Sequence, residues 1–184
     1  MHQGATAPSM DAMLDRFRSQ SDESQSAVHE LSSWGEVADL ALELAGDERV
    51  VITPSLAAEA PQLLVAIGER ALVPASQEPV AEVADAAVAI VRGELAIAET
   101  GSVLVSADTL PDRAVSMLPT TVVQVVDRDR FVERLDDVAR WLAERAPTPG
   151  YASLVTGPSR TADIERSLTI GVQGPSEVHV VALG

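Results

Sequence analysis

The run Thr121-Val122-Val123-Gln124-Val125-Val126 is nearly all β-branched, and no other stretch constrains the fold as strongly. β-Branched side chains are stiff at χ1 and pack well on a pleated surface, so the run predicts a strand. It does not alternate apolar with polar. A strand of that kind has both faces covered, as happens in parallel sheets overlaid by their crossover helices. Val28 to Leu31, Val50 to Ile52, Ala71 to Val73, Ala87 to Val91 and Val178 to Leu183 repeat the signal. Between them the apolar residues fall at helical spacing.

Those helical stretches can be placed. Met10, Met13, Leu14 and Phe17 predict a short amphipathic helix, and Trp34 to Ala45 predicts a second, with Gly46 just past its end. Ser55 reads as the cap of a helix running through Leu63, Leu64 and Ile67. Val80 begins a helical turn, Pro111 to Leu118 reads as a short helix stopped by Pro119, and Phe131, Leu135, Val138 and Leu142 mark a long one ending before Pro147. Alternating strands and helices imply an α/β chain, a mostly parallel sheet with helices on both faces. One place departs from this. Leu95 to Ala98 and Val103 to Val105 are too close for a crossover helix, so a hairpin or antiparallel edge is expected there. Residues 1–24 read as a flexible N-terminal segment with a short helix, Ser19 to Ser26 as a polar linker, and residues 25–184 as a single domain.

Composition removes several functions. Hydrophobic residues make up 46% of the chain, yet no run nears the roughly 18 apolar residues of a membrane span. Asp11, Asp15 and Arg16 are out of place in a signal peptide. Twenty-eight acidic side chains against 13 basic ones give a formal charge of −15, which repels nucleic acid and anionic membranes. With 3% aromatic residues there is little to stack bases on. Cys is absent, which excludes disulfides, thiolate nucleophiles and Cys ligation of zinc or iron–sulfur clusters by this chain. The pattern suits a cytoplasmic protein.

Three segments carry candidate chemistry. The apolar run Tyr151 to Val155 leads into Thr156-Gly157-Pro158-Ser159-Arg160-Thr161-Ala162-Asp163-Ile164-Glu165. It reads as a strand turning into a helix start, where unpaired N–H groups and the helix dipole favour an anion. Ser159 or Thr161 would cap the helix and Arg160 would reach the anion. A plain capped turn explains the same residues, with Asp163 and Glu165 in the first turn opposing an anion. Glu99-Thr100-Gly101-Ser102 is the second. Partial desolvation of Glu99 would raise its pKa toward the range of a base or nucleophile, and an exposed turn is the bland alternative. Arg113 is the third, either an anion clamp or a surface partner of Asp112. Thr156 and Glu99 both follow strands and could share one crevice. His2, His29 and His179 show no metal-ligand spacing, and no phosphate-loop, dinucleotide or nucleophile-elbow motif is present.

Taken with Ala96 to Ser102, Arg113 to Pro119, Thr156 to Glu165 and Gly171-Val172-Gln173-Gly174-Pro175, in that order and spacing, residues 80–184 closely resemble the lactate-utilisation protein C family, the LUD domain. The resemblance implies a fold like that of ribose-phosphate isomerases, glucosamine-phosphate deaminases and CoA transferases. It implies a bacterial cytoplasmic, non-redox accessory protein of L-lactate oxidation to pyruvate. Any iron–sulfur clusters would belong to partner subunits, with no cofactor in this chain. A small anionic ligand would engage Thr100, Gly101, Arg113, Thr156, Gly157, Ser159, Arg160, Thr161, Gln173 and Gly174, with Glu99 nearby. The alternative is an independent isomerase- or CoA-transferase-like enzyme with Glu99 as base or nucleophile. Gln173 stands where the family usually has His, which suits orienting or binding rather than proton transfer.

Overall fold

The computed structural model describes residues 8–75, 81, 83, 86–145, 150–162, 168–170 and 174–184. The strand predicted at Thr121 is β6, Thr121–Asp127, and it lies at the centre of the sheet. The strands that share its sheet path are β1 (Ala27–Leu31), β2 (Val50–Ile52), β3 (Ala71–Leu72), β4 (Val88–Ile97) and β11 (Glu177–Leu183), in the order β1-β11-β6-β4-β2-β3. Every pairing along that path is parallel. This is the α/β architecture that the unbroken apolar runs imply, because each parallel step needs a crossover that covers a face.

Helices α2 (Trp34–Ala45), α3 (Pro54–Glu59) and α4 (Pro61–Ile67) cover one face. Their buried Val37, Ala41, Leu56 and Leu63 pack on Ile52, Ile90, Val123 and Val125. Helices α1 (Met10–Ser24) and α5 (Leu110–Met117) cover the other, where Phe17 and Val115 meet Val91, Val122 and Val180. Helix α2 starts as its sequence predicts. Ser33 Oγ accepts from Glu36 N–H at 3.2 Å, and the Glu36 carboxylate accepts from Ser32 N–H at 2.6 Å. Those Ser32 hydrogen bonds hold the Glu36 pKa below its ordinary value. Buried Asp112 joins the two layers: it accepts from the Thr109 hydroxyl at 2.7 Å and from the Ser55 hydroxyl at 3.0 Å.

Strand β4 outruns the parallel sheet. The separate segments expected at Ala87–Val91 and Leu95–Ala98 form one strand, whose register shifts between Gly93 and Leu95. A Cβ at Gly93 would lie 2.5 Å from Val126 and 2.6 Å from Val103, so only glycine lets the strand bend between them. Beyond the bend β4 pairs antiparallel with β5 (Ser102–Ser106) and parallel with β7 (Phe131–Val132), and β5 pairs antiparallel with β8 (Ala152–Val155). The hairpin expected at Glu99 is this β4–β5 turn.

Four local readings are corrected. Ser19 to Ser24 is not linker but the second half of α1, capped by Gln25 in the left-handed region. Ser55 caps nothing. Thr53 precedes α3, and Ala60-Pro61 breaks the expected helix in two, since proline disfavours helical backbone in the residue before it. Phe131 leaves the expected long helix to pair with β4 and sit edge-on against Phe17 at 5.2 Å. The helix is only α6, Asp136–Arg145, with Val138 buried and Leu142 exposed. Finally, no helix begins at Ser159 or Thr161. Arg160–Ala162 forms β9, antiparallel to β10, Leu168–Ile170.

The two strand histidines are neighbours. His29 Nε2 and His179 Nδ1 are 3.0 Å apart, with the rings stacked. Burial lowers the pKa of both below 6.5. The Glu43 charge opposes this at His29; at His179 the His29 charge adds to it and Glu177 opposes. The unfolded chain therefore takes up more protons than the folded chain as pH falls through about 6.5, so this contribution is full above that value and declines below it. The urea midpoint should fall between about pH 7.5 and 5.5, and His179→Gln should flatten the dependence. An equal slope in the variant would remove the pair from the cause.

Candidate functional site

Glu99 to Gly101 and Thr156 to Ser159 do come together. Ser102 Oγ and Thr156 Oγ1 are 2.6 Å apart, as the β5–β8 pairing requires. The C-terminal half of α1 comes close to both turns, and its Gln20, Glu23 and Ser24 line an open groove with Thr100, Thr156 and Pro158. Gly101 has φ +62° and Gly157 φ +75°, a region that costs any side chain strain. A Cβ on Gly101 would fall 2.8 Å from the backbone of Gln20 and Ser21, and one on Gly157 would strike the Ser24 carbonyl oxygen. The two glycines thus serve turn geometry and close helix approach at once.

The other expected residues divide. The Glu99 carboxylate accepts from Leu135 N–H at 2.9 Å and so steadies the entry to α6. The Thr100 hydroxyl is buried and has no hydrogen-bond partner among the described residues. Arg113 is paired with neither Asp112 nor a crevice. Its Nε donates to the Ala107 carbonyl at 2.9 Å, and its guanidinium lies over the Tyr151 ring at 5.2 Å. Arg160 and Thr161 are in β9, and Gln173 lies outside the described residues, as do Asp163 and Glu165. Ser159 N–H is already bonded, to the Pro175 carbonyl at 2.8 Å. With no helix start and that donor engaged, the helix-dipole argument for an anion at Ser159 does not apply.

What the segment does frame is a cavity of about 260 Å³ over the sheet face rather than beyond the carboxyl ends of the strands. Its floor is Val91, Val122, Gln124 and Val178 on the parallel sheet, with Val105 and Val155 from the antiparallel strands across from them. Ser116 and Met117 at the end of α5 form one wall. Thr156, Gly157, Ser159 and Gly174 form another, and half-exposed Leu154 and Tyr151 stand at the rim. No Asp, Glu, His, Lys or Arg is among the described lining residues. Gln124 escaped the reading of the sequence. Its signal was there: one amide in an otherwise apolar run of a doubly covered strand is a buried polar group that needs a partner. Among the described residues no cluster of His, Asp or Glu could hold a metal ion, and no helix is long and apolar enough to cross a membrane.

Known proteins bear on this arrangement. The chain is 34% identical over 103 residues to lactate utilization protein C of Bacillus subtilis, a match taking in 54% of this chain and 43% of that one. It is 36% identical over 100 residues to the protein of the same name from Macrococcus caseolyticus, covering 52% and 43%. These matches span less than half the length of the relatives. A crystal structure of a DUF162 family protein from Deinococcus radiodurans superposes with a TM-score of 0.73 at 24% identity, over 96% of this chain and 99% of that one, which shows a shared fold. The LUD domain profile matches residues 14–183, from the middle of α1 to the end of β11, and the chain belongs to the LUD domain family.

Proposed function

We propose that this chain acts in bacterial lactate utilisation as a non-redox accessory component, holding a small ligand in the cavity under the Thr156–Ser159 loop and working beside iron–sulfur partner subunits in the cytoplasm. Membership of the LUD family and the likeness to lactate utilization protein C support the pathway. One observation carries the role. The cavity framed by the family segment has no described carboxylate, imidazole, ammonium or guanidinium on its wall, so it is equipped to bind rather than to transfer protons or attack. Glu99, the expected base of an independent enzyme, is engaged at the start of α6 instead. Without Cys, this chain supplies no thiolate for an electron-carrying cluster, and its charge of −15 suits docking to a basic face of a partner.

The test is association. The full chain mixed at micromolar concentration with the iron–sulfur subunits of a bacterial lactate oxidation system should co-elute with them, and more weakly as salt rises. Separate elution at low and high salt alike would sink the accessory reading. Glu99→Gln should leave any lactate oxidation by the assembled system within about twofold of the native rate, whereas abolition would restore Glu99 as a catalytic residue.

A further inference from the structure

The amide of Gln124 is the anomaly on the cavity floor. It is 2% exposed, and its Oε1 has no hydrogen-bond partner among the described residues. It sits in the middle of β6, in register with Val91 of β4 and Val180 of β11, so its strand neighbours are valines. On the same face Val122 and Val126 flank it two residues away, and both belong to the apolar core. A parallel strand buried on both faces has no need of an amide there for its ladder or its packing. A buried carbonyl left unmet is a standing cost to the fold. The same side chain lines a cavity of about 260 Å³ that leads out past Met117 and Leu154, so its amide borders space that a molecule can enter, and a turn of the amide brings either end to that space.

The chemistry of the walls selects the ligand. They combine valine, leucine and methionine side chains with the hydroxyls of Ser116, Ser153, Thr156 and Ser159, and no charged side chain is among the described lining. A carboxylate or phosphate would meet no counter-charge among the described lining, in a chain of net charge −15, and would set its oxygens against the Gln124 carbonyl. A pure hydrocarbon would fill the space and leave the amide unmet. A hydroxyl donates to the amide oxygen, and if the amide were turned it would accept from the nitrogen instead, so it satisfies the group in either orientation. We infer that this cavity is a site for an uncharged, largely apolar molecule that buries a hydroxyl against Gln124, with the ring or chain of the molecule on Val91, Val122 and Val178. The inference rests on reading this cavity as the ligand site, and it replaces the anion expected there by a neutral alcohol.

Three probes of similar size separate the possibilities on the full chain: cyclohexanol, methylcyclohexane, which lacks the donor, and cyclohexanecarboxylate, which adds a charge. Binding is followed by the side-chain amide resonances of Gln124 and the methyl resonances of Val91, Val122 and Val178. Cyclohexanol should shift all of them and bind about tenfold more tightly than methylcyclohexane, the difference expected of one hydrogen bond to an otherwise unmet buried group. Cyclohexanecarboxylate should bind more weakly than cyclohexanol. Gln124→Leu should bring cyclohexanol and methylcyclohexane to equal affinity while methylcyclohexane still binds, which shows that the variant is folded and its cavity intact. Equal affinities on the native chain, or the carboxylate binding most tightly, would overturn the neutral hydroxyl ligand yet leave the cavity a binding site. If no probe moves any of these resonances, the cavity reading falls as well, without touching the association with iron–sulfur subunits.

Discussion

Phe17→Ala should lower the unfolding free energy by about 3–5 kcal/mol, the usual range for truncating a buried phenylalanine. Phe17 is fully buried, the largest side chain that α1 places in the core. It belongs to the core cluster that includes Ala96 of β4 and Ala98 just beyond it, and its ring stands edge-on to Phe131, 5.2 Å away and at 75°. The substitution leaves a void between α1 and β7, and it removes an aromatic pair worth about 0.5–1.5 kcal/mol beyond its area. Urea denaturation gives the stability, and limited proteolysis between Asp15 and Ser26 shows whether α1 detaches before the rest. A loss under about 1 kcal/mol, with α1 already cleaved in the native chain, would mean that the helix does not dock.

Gly157→Ala should cost about 2–4 kcal/mol, from a positive φ of +75° and a collision with the Ser24 carbonyl at the end of α1. The penalty in the full chain should also appear at the cavity, because Gly157 lines it next to Thr156 and Ser159. Cyclohexanol binding should weaken as the loop shifts. An unchanged midpoint for Gly157→Ala in the full chain would contradict the close approach of α1.

The positions of most elements were legible along the chain. Trp34 to Ala45 was legible from its helical spacing and from Gly46 past its end, and the structure adds the Ser33 cap at its start. The runs at Val50, Thr121 and Val178 are apolar on both faces, and burial of that kind needs a covered parallel sheet wherever the strands end up. The errors share a cause, which is that a distant partner overrode a local pattern. Phe131 has helical spacing with Leu135 and Val138, but the end of β4 offers it a ladder and Phe17 offers it a ring. Ser19 to Ser24 is polar, yet it is helix because the turns at Gly101 and Gly157 give it a surface to lie on.

The candidate site divides in the same way. The family segment at Thr156, the Glu99 turn and the absence of Cys could be read from the sequence, since residue identity and spacing survive without a fold. Two things could not: that Gln124, far from Ser159 in the chain, lines the same cavity, and that Arg113 turns to Tyr151 and Ala107 rather than toward the loop. The sequence by itself determined the covered parallel sheet, the helix α2 and the family, because these follow from local periodicity, capping and motif. Only the tertiary structure decided that the chain after the Thr156 loop continues as strand β9 rather than a helix, and that the loop borders a cavity with no charged side chain among its described lining. That outcome depends on the β5–β8 pairing, on the close approach of α1 to Gly157, on the Ser159 N–H finding the Pro175 carbonyl, and on Gln124 lining the same cavity as the loop.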